Sequence, residues 1–416
     1  MKIVAGSYER FLWGWQVKQK SEKLQPAFSY PAHLGPIKCI AASGGVLVTG
    51  SSDDTIKVFD LHAHRDMGSL SAHKSAVTCL KFYVPETGID HATHLFSGSE
   101  DASICIWDTD SWVRLKSMKA KAAMNDLAIH PSGRLALSVE RDGHFRMWNL
   151  IKGRCSFTTK LPNEATIINF CPKKGDTYAM AKGQVVETYN AEDGHLHQSF
   201  VHLKHVLCMA TDKDGVLFTG GEDCTISGWD LGSGKLAFEI PNAHSSRIKG
   251  LAFLGKANSS NDGGYAFASA SSDGFVRVWD IRMMQDKETQ NKRTPLMEAE
   301  TKARLTCLVS SGTLKTRIKP EEVDIPQDGS QEGRLSLEDI KTKLLEKKTA
   351  VNSQKLDTED RKNPLEFDLN DKVSKKLKVC AEDLSMTNSK GKRQYAVDQN
   401  NLLKRKKKRN THLSSA

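Results

Sequence analysis

Ser269-Ala-Ser-Ser-Asp273-Gly-Phe-Val-Arg-Val-Trp279-Asp280 is the stretch from which the fold of this 416-residue chain is read. A short segment ends in small residues, turns tightly at Asp273, and continues as Phe275, Val276, Arg277, Val278 and Trp279 with the period of two that belongs to a strand. The same order recurs upstream in Ser97-Gly-Ser-Glu-Asp101-Ala-Ser-Ile-Cys-Ile-Trp107-Asp108. Aligned on such endings, Phe59-Asp60, Trp107-Asp108, Trp148-Asn149, Tyr189-Asn190, Trp229-Asp230 and Trp279-Asp280 lie 48, 41, 41, 40 and 50 residues apart. An aspartate stands six residues before the aromatic at Asp53, Asp101, Asp142, Asp223 and Asp273, and only the fourth unit breaks this, with Gly183. The two long intervals carry turn-rich insertions, Tyr83 to His94 and Leu254 to Gly264.

A period of that length, built from strands and turns, is the length of one β-propeller blade. These residues resemble the WD40 family over roughly residues 1–312. The resemblance implies an all-β, seven-bladed WD40 β-propeller in which a hydrogen-bonded tetrad of His, Ser or Thr, Asp and Trp fixes each well-formed blade. His73, Ser97, Asp101 and Trp107 match it, as do His202, Thr219, Asp223 and Trp229, and His244, Ser269, Asp273 and Trp279. His33, Thr49 and Asp53 supply three members in the first unit, where Phe59 replaces the tryptophan; the third keeps Ser138, Asp142 and Trp148, and the fourth keeps none.

Six endings leave one blade to find, and both ends of the repeat carry pieces of it. Arg304-Leu-Thr-Cys-Leu308 reads as an innermost strand with nothing after it, whereas Lys2 to Gly6 and Arg10 to Val17 read as later strands with no first strand before them. Pairing them makes one blade shared by the N- and C-terminal strands and closes the ring, which removes sheet edges that would otherwise promote aggregation.

The repetition also argues against catalysis. A serine nucleophile occurs once, beside a pocket, whereas this His, Ser and Asp set recurs in several units at strand and turn positions, as satisfied buried polar networks do. No catalytic, cofactor or metal site is expected. Leu231-Gly-Ser-Gly-Lys235 fails the phosphate-loop pattern at Trp229 and Leu236 and reads as a turn. None of the nine cysteines forms a C-x-x-C pair, and four share one context, at Cys39, Cys79, Cys208 and Cys307, so they read as small buried strand residues of a reducing compartment. Asn258-Ser-Ser260 matches a glycosylation acceptor but reads as an unmodified loop. Met1 to Trp15 does not read as a signal peptide, and no apolar run reaches membrane-spanning length, so a soluble intracellular monomer with no membrane contact is expected.

From residue 313 to 416 the composition shifts to Lys, Glu, Asp, Ser and Asn, and 24 of the 60 Lys and Arg fall there against 17 of the 50 Asp and Glu. Such a segment buries too little apolar surface to offset its ordering entropy, so a disordered basic C-terminal tail is expected. Within it, Leu337, Ile340 and Leu344 share a face of a short helix over 336–348 that forms on binding a partner or only transiently. Lys392-Arg393 and, ten residues on, Lys404, Arg405, Lys406, Lys407, Lys408 and Arg409 match a bipartite nuclear localisation signal over 392–409 and suit phosphate contacts with RNA.

Particular stretches are similar to the p21-activated-kinase-interacting WD-repeat proteins: Ile3 to Glu9, Val48 to Ile56, Thr78 to Tyr83, Ile129 to Ser138, Ser269 to Phe275 and Ala303 to Leu308. The resemblance implies a scaffold in the nucleus and nucleolus that joins pre-60S ribosomal proteins, assembly factors and pre-rRNA during large-subunit assembly. It also implies the alternative of an adaptor that binds and restrains a p21-activated kinase, for which no motif in the chain speaks.

Overall fold

The computed structural model describes residues 1–18, 23–85, 91–171, 175–212, 215–256, 265–280 and 294–311. The expected tail, its helix over 336–348 and the basic clusters over 392–409 lie outside the described residues, as does Asn258-Ser-Ser260.

The described strands form seven antiparallel four-stranded sheets arranged as a seven-bladed β-propeller. With strands a to d running outward from the centre, blade one is Ile37–Ser43, Val46–Ser51, Thr55–Asp60 and Arg65–Ser71, and blade two is Val77–Tyr83, His94–Ser99, Ser103–Asp108 and Arg114–Lys119. Blade three is Met124–Ile129, Leu135–Glu140, His144–Asn149 and Arg154–Lys160; blade four is Ile167–Phe170, Thr177–Lys182, Val185–Asn190 and Leu196–Val201. Blade five is Val206–Thr211, Val216–Gly221, Ile226–Asp230 and Lys235–Ile240; blade six is Ile248–Lys256, Tyr265–Ser271, Phe275–Asp280 and Met297–Glu300. Both turn-rich insertions join strands a and b, in blades two and six.

Blade seven is the joint blade expected from the orphan strands. Leu305–Ser311 supplies strand a, and Lys2–Ser7, Phe11–Gln16 and Gln25–Pro31 supply b, c and d. Its closing ladder pairs Ile3 with Ser310, Ala5 with Leu308 and Gly6 with Cys307.

Because blades cannot bury both faces alone, apolar side chains form layers between consecutive blades. Cys39, Val48, Ile56 and Val58 of blade one, for example, pack against Val77, Leu80, Leu95 and Trp107 of blade two. The repeated cysteines have their place here. Cys39, Cys79, Cys208 and Cys307 each pair across strands a and b with a glycine, at Gly50, Gly98, Gly220 and Gly6. A Cβ on Gly50 or Gly98 would stand 2.7 or 2.6 Å from the facing sulfur. Blade six swaps the sizes, with Gly250 opposite Ala270. The eight described cysteines are free thiols, and burial pushes Cys79 up to about 12 and Cys307 up to about 11, which keeps them protonated and inert.

Candidate docking face

In every blade the segment entering strand a and the turn between strands b and c lie at the same end of the sheet, so the tetrad residues gather on one face of the ring. In blade two the His73 Nε2 lies 2.8 Å from the Ser97 Oγ, which accepts a 2.9 Å hydrogen bond from the Trp107 Nε1. The serine oxygen is thus occupied as acceptor and its proton goes to Nε2, leaving the His73 Nδ1–H to donate toward Ser103 at 3.0 Å and Asp101 at 3.4 Å. Asp101 also accepts from the Lys74 and Ser103 amides. Burial lowers the His73 pKa against the pull of Asp101, in keeping with a neutral ring. For Asp101, burial raises the pKa, but hydrogen bonds from Ser103 and the Lys74 amide outweigh it, and the group sits below the usual range. Blade six repeats the set: His244 to Ser269 at 2.7 Å, Trp279 to Ser269 at 2.8 Å and His244 to Asp273 at 3.1 Å. Ser97 and Ser269 are wholly buried, so neither reaches a substrate.

Blade one keeps His33 to Thr49 at 2.7 Å and His33 to Asp53 at 3.1 Å, while Phe59 offers no donor. The set in blade five is not closed, contrary to the sequence expectation. Trp229 donates to Thr219 at 3.0 Å, but the His202 Nε2 is buried without a partner and the ring packs edge-on against Trp229. The Thr219 hydroxyl donates instead to the Ser227 carbonyl at 3.3 Å, and a second difference lies two residues before the turn aspartate. There, Ser51, Ser99 and Ser271 donate to the carbonyls of Pro36, Ser75 and Ser246, stapling the b–c turn to the loop that carries the histidine. Blade five has Gly221, where a Cβ would meet the His205 carbonyl oxygen at 2.2 Å. No hydroxyl fits, and Asp223 bonds within its own turn, to the Thr225 amide at 3.2 Å.

Blades three and four fill the same space differently. In blade three the staple position is Glu140, wholly buried, hydrogen-bonded to Arg146 and to the Ala122 amide, while Trp148 donates to Ser138 at 2.9 Å. Glu140, Asp142 and His144 converge closely enough to hold a metal ion, but the Arg146 guanidinium on Glu140 already satisfies that carboxylate. In blade four Lys182 reaches Glu187 and the Tyr189 hydroxyl, both at 2.6 Å. The staple serines, Glu140–Arg146 and Lys182–Glu187–Tyr189 escaped sequence reading. The staple serines had a signal in their fixed spacing, two residues before the aspartate.

The turn Leu231 to Lys235 is capped by Asp230, which accepts from the Gly232 amide and the Ser233 hydroxyl. Nothing there cradles a phosphate.

The polar groups of the inner strands and their entry loops differ from one side of the ring to the other. On one side the polar groups are mutually satisfied: Lys81 to Asn169 at 2.9 Å and to Asp126 at 3.5 Å, Asn125 to Glu164 at 2.8 Å, and, farther out, Arg141 to Glu100 at 3.0 Å. On the other, a cavity of about 770 Å³ between blades six, seven and one is lined by Tyr8, Lys38, Arg247, Lys249, Arg304 and Thr306, among others. Arg304 is held by Glu9 at 2.9 Å and lies over the Tyr8 ring at 4.2 Å.

This fold, with its repeated tetrads, defines a WD-repeat propeller, a class made in general of partner-binding scaffolds. The WD domain, G-beta repeat family matches residues 24–60, 65–108, 112–149, 194–230 and 235–280, passing over the blade that keeps no tetrad. The chain belongs to the p21-activated protein kinase-interacting protein 1 family. A Danio rerio protein named p21-activated protein kinase-interacting protein 1-like is 32% identical over 79% of this chain and 86% of its own length. The Gallus gallus protein of the same name is 34% identical over 74% and 79%. Protein MAK11 of Saccharomyces cerevisiae is 26% identical over 67% and 78%.

Proposed function

We propose that this chain is a non-catalytic scaffold in nucleolar assembly of the large ribosomal subunit and in pre-rRNA processing. The propeller, residues 1–312, binds pre-60S proteins across its docking face, while the basic segment 313–416 carries the protein to the nucleus and contacts pre-rRNA. The observation that carries this reading is the run of six cations from Lys404 to Arg409, preceded by Lys392-Arg393, appended to a closed ring. A cation run neutralises several phosphates without reading sequence, which suits a factor that joins a large folded RNA. The resemblance to a family whose fungal members serve large-subunit assembly supports it. The joint blade pairs the N-terminal strands with the C-terminal one inside the ring, so these strands are not offered to a second copy, which supports a monomer.

Deleting residues 391–416 tests the reading. Nuclear and nucleolar accumulation falls and RNA association loses its salt dependence; unchanged localisation and RNA association would refute it. A second reading rests on the printed names of the relatives, which call them interacting proteins of a p21-activated kinase. A pull-down with the full chain that recovers such a kinase and no pre-ribosomal protein favours that adaptor role.

A further inference from the structure

The face that carries the tetrads is electrostatically lopsided, and the imbalance has a shape. We propose that the cavity between blades six, seven and one receives an acidic peptide segment of a protein partner. Its carboxylates meet Lys38, Arg247, Lys249 and Arg304, and its apolar side chains meet Pro36 and the neighbouring Leu34. This deepens the scaffold reading and rests on it.

Four cations line the cavity, and no carboxylate among the described residues does. Among the described residues, Lys38, Arg247 and Lys249 make no ion pair, unlike Lys81 and Arg141 elsewhere in the ring. Lys38, Arg247 and Arg304 are exposed and Lys249 is half-buried. Burial first, then the nearby Arg247 and Lys38 charges, lower the Lys249 pKa against the pull of Glu222 outside the cavity. Like charges gathered at a concave mouth without a counter-ion raise the local concentration of anions, and a bound carboxylate relieves their repulsion. Glu9 holds Arg304 through both its backbone amide and its guanidinium, so that cation is presented in a fixed position.

The rest of the lining selects a peptide over a nucleic acid. Half-buried Pro36 lines the cavity, and Leu34, on the same loop, is 86% exposed, so apolar surface adjoins the cations. Ser52, Ser272 and Thr306 add hydroxyls. Single-stranded RNA is held by stacking bases on free aromatic faces. Tyr8, the aromatic of this cavity, already carries the Arg304 guanidinium.

Fluorescence anisotropy with the full chain and a fluorescein-labelled short peptide of alternating Glu and Leu tests the site, with a labelled oligouridylate as the nucleic-acid probe. The joint substitution Lys38→Glu, Arg247→Glu and Lys249→Glu weakens peptide binding by about tenfold, and the milder pair Lys38→Gln and Arg247→Gln by about threefold. Lys116→Glu, Arg154→Glu and Lys235→Glu, on outer strands, change it by less than about twofold. Circular dichroism melting checks folding, and the glutamine pair decides the matter should the triple variant fail to fold. An equal loss in the outer-strand variant would overturn the proposal, as would a loss confined to the oligouridylate. If purification of the tagged full chain recovers pre-ribosomal particles while the unsubstituted chain binds no peptide, the site falls and the scaffold reading stands. If the peptide binds as expected and no such particle is recovered, the scaffold reading falls and the site stands.

Discussion

Blades two and five both carry His, a hydroxyl residue, Asp and Trp at matching positions, Ser97 in the one and Thr219 in the other, and hold them differently. In blade two a chain runs from the Trp107 indole through Ser97 and His73 to Asp101, and Ser99 ties the turn to the loop above it. In blade five the Thr219 hydroxyl passes its proton to the Ser227 carbonyl instead, and His202 keeps an unpartnered nitrogen in the interior. The difference teaches that the tetrad is not the unit of architecture. Between its b–c turn and its entry loop a blade can carry a serine staple, as blades one, two and six do, or the buried Glu140–Arg146 pair of blade three, and blade five stands with neither.

Substitutions that break this equivalence should differ in cost by the number of buried groups each leaves stranded. Removing the cation of the blade-three pair, Arg146→Met, leaves Glu140 charged, wholly buried and unpaired, and should cost about 3–5 kcal/mol. Chemical denaturation at neutral pH checks it, and a loss near that of a surface residue would contradict the pairing. Ser97→Ala strands both the Trp107 indole N–H and the His73 Nε2 and should cost about 2–4 kcal/mol, whereas Thr219→Ala strands the Trp229 indole alone and should cost about 1–2 kcal/mol. Equal losses in the two blades would erase the contrast.

The smallest effect is expected at His202→Phe, which keeps the ring packed on Trp229 and deletes the stranded nitrogen, so stability should change by less than about 1 kcal/mol. Its pH dependence sharpens the point. Burial, against the pull of Asp223, holds the His202 pKa below its ordinary 6.5, so the unfolded chain takes the proton first. The unsubstituted protein therefore loses stability as pH falls through 6.5, and the advantage of the phenylalanine variant should grow over that window. Melting both proteins across it reads the difference.

Much of this was written locally in the chain. The aromatic endings at Phe59, Trp107, Trp148, Tyr189, Trp229 and Trp279 counted six blades, and an orphan inner strand at Leu305 with orphan outer strands at Ile3 and Trp15 located the seventh. Period-two patterning and fixed turn spacing are properties of neighbouring residues, so a sequence displays them. The open set at His202 was hidden because it turns on where the Thr219 hydroxyl points, toward the Ser227 carbonyl, and residue type alone does not display that. The cationic cavity was hidden for a stronger reason: Lys38, Arg247, Lys249 and Arg304 come from three blades and meet only when the chain closes into a ring. The cysteines were read as structural thiols, but the glycines that make room for them appear only in the a–b register.

The most direct measurement of the central claim is affinity purification of the tagged full-length protein with identification of the RNA and proteins that accompany it. The account predicts precursors of the large ribosomal subunit and their assembly factors, held in a salt-sensitive manner. Recovery of a p21-activated kinase with neither pre-rRNA nor pre-ribosomal protein would contradict it.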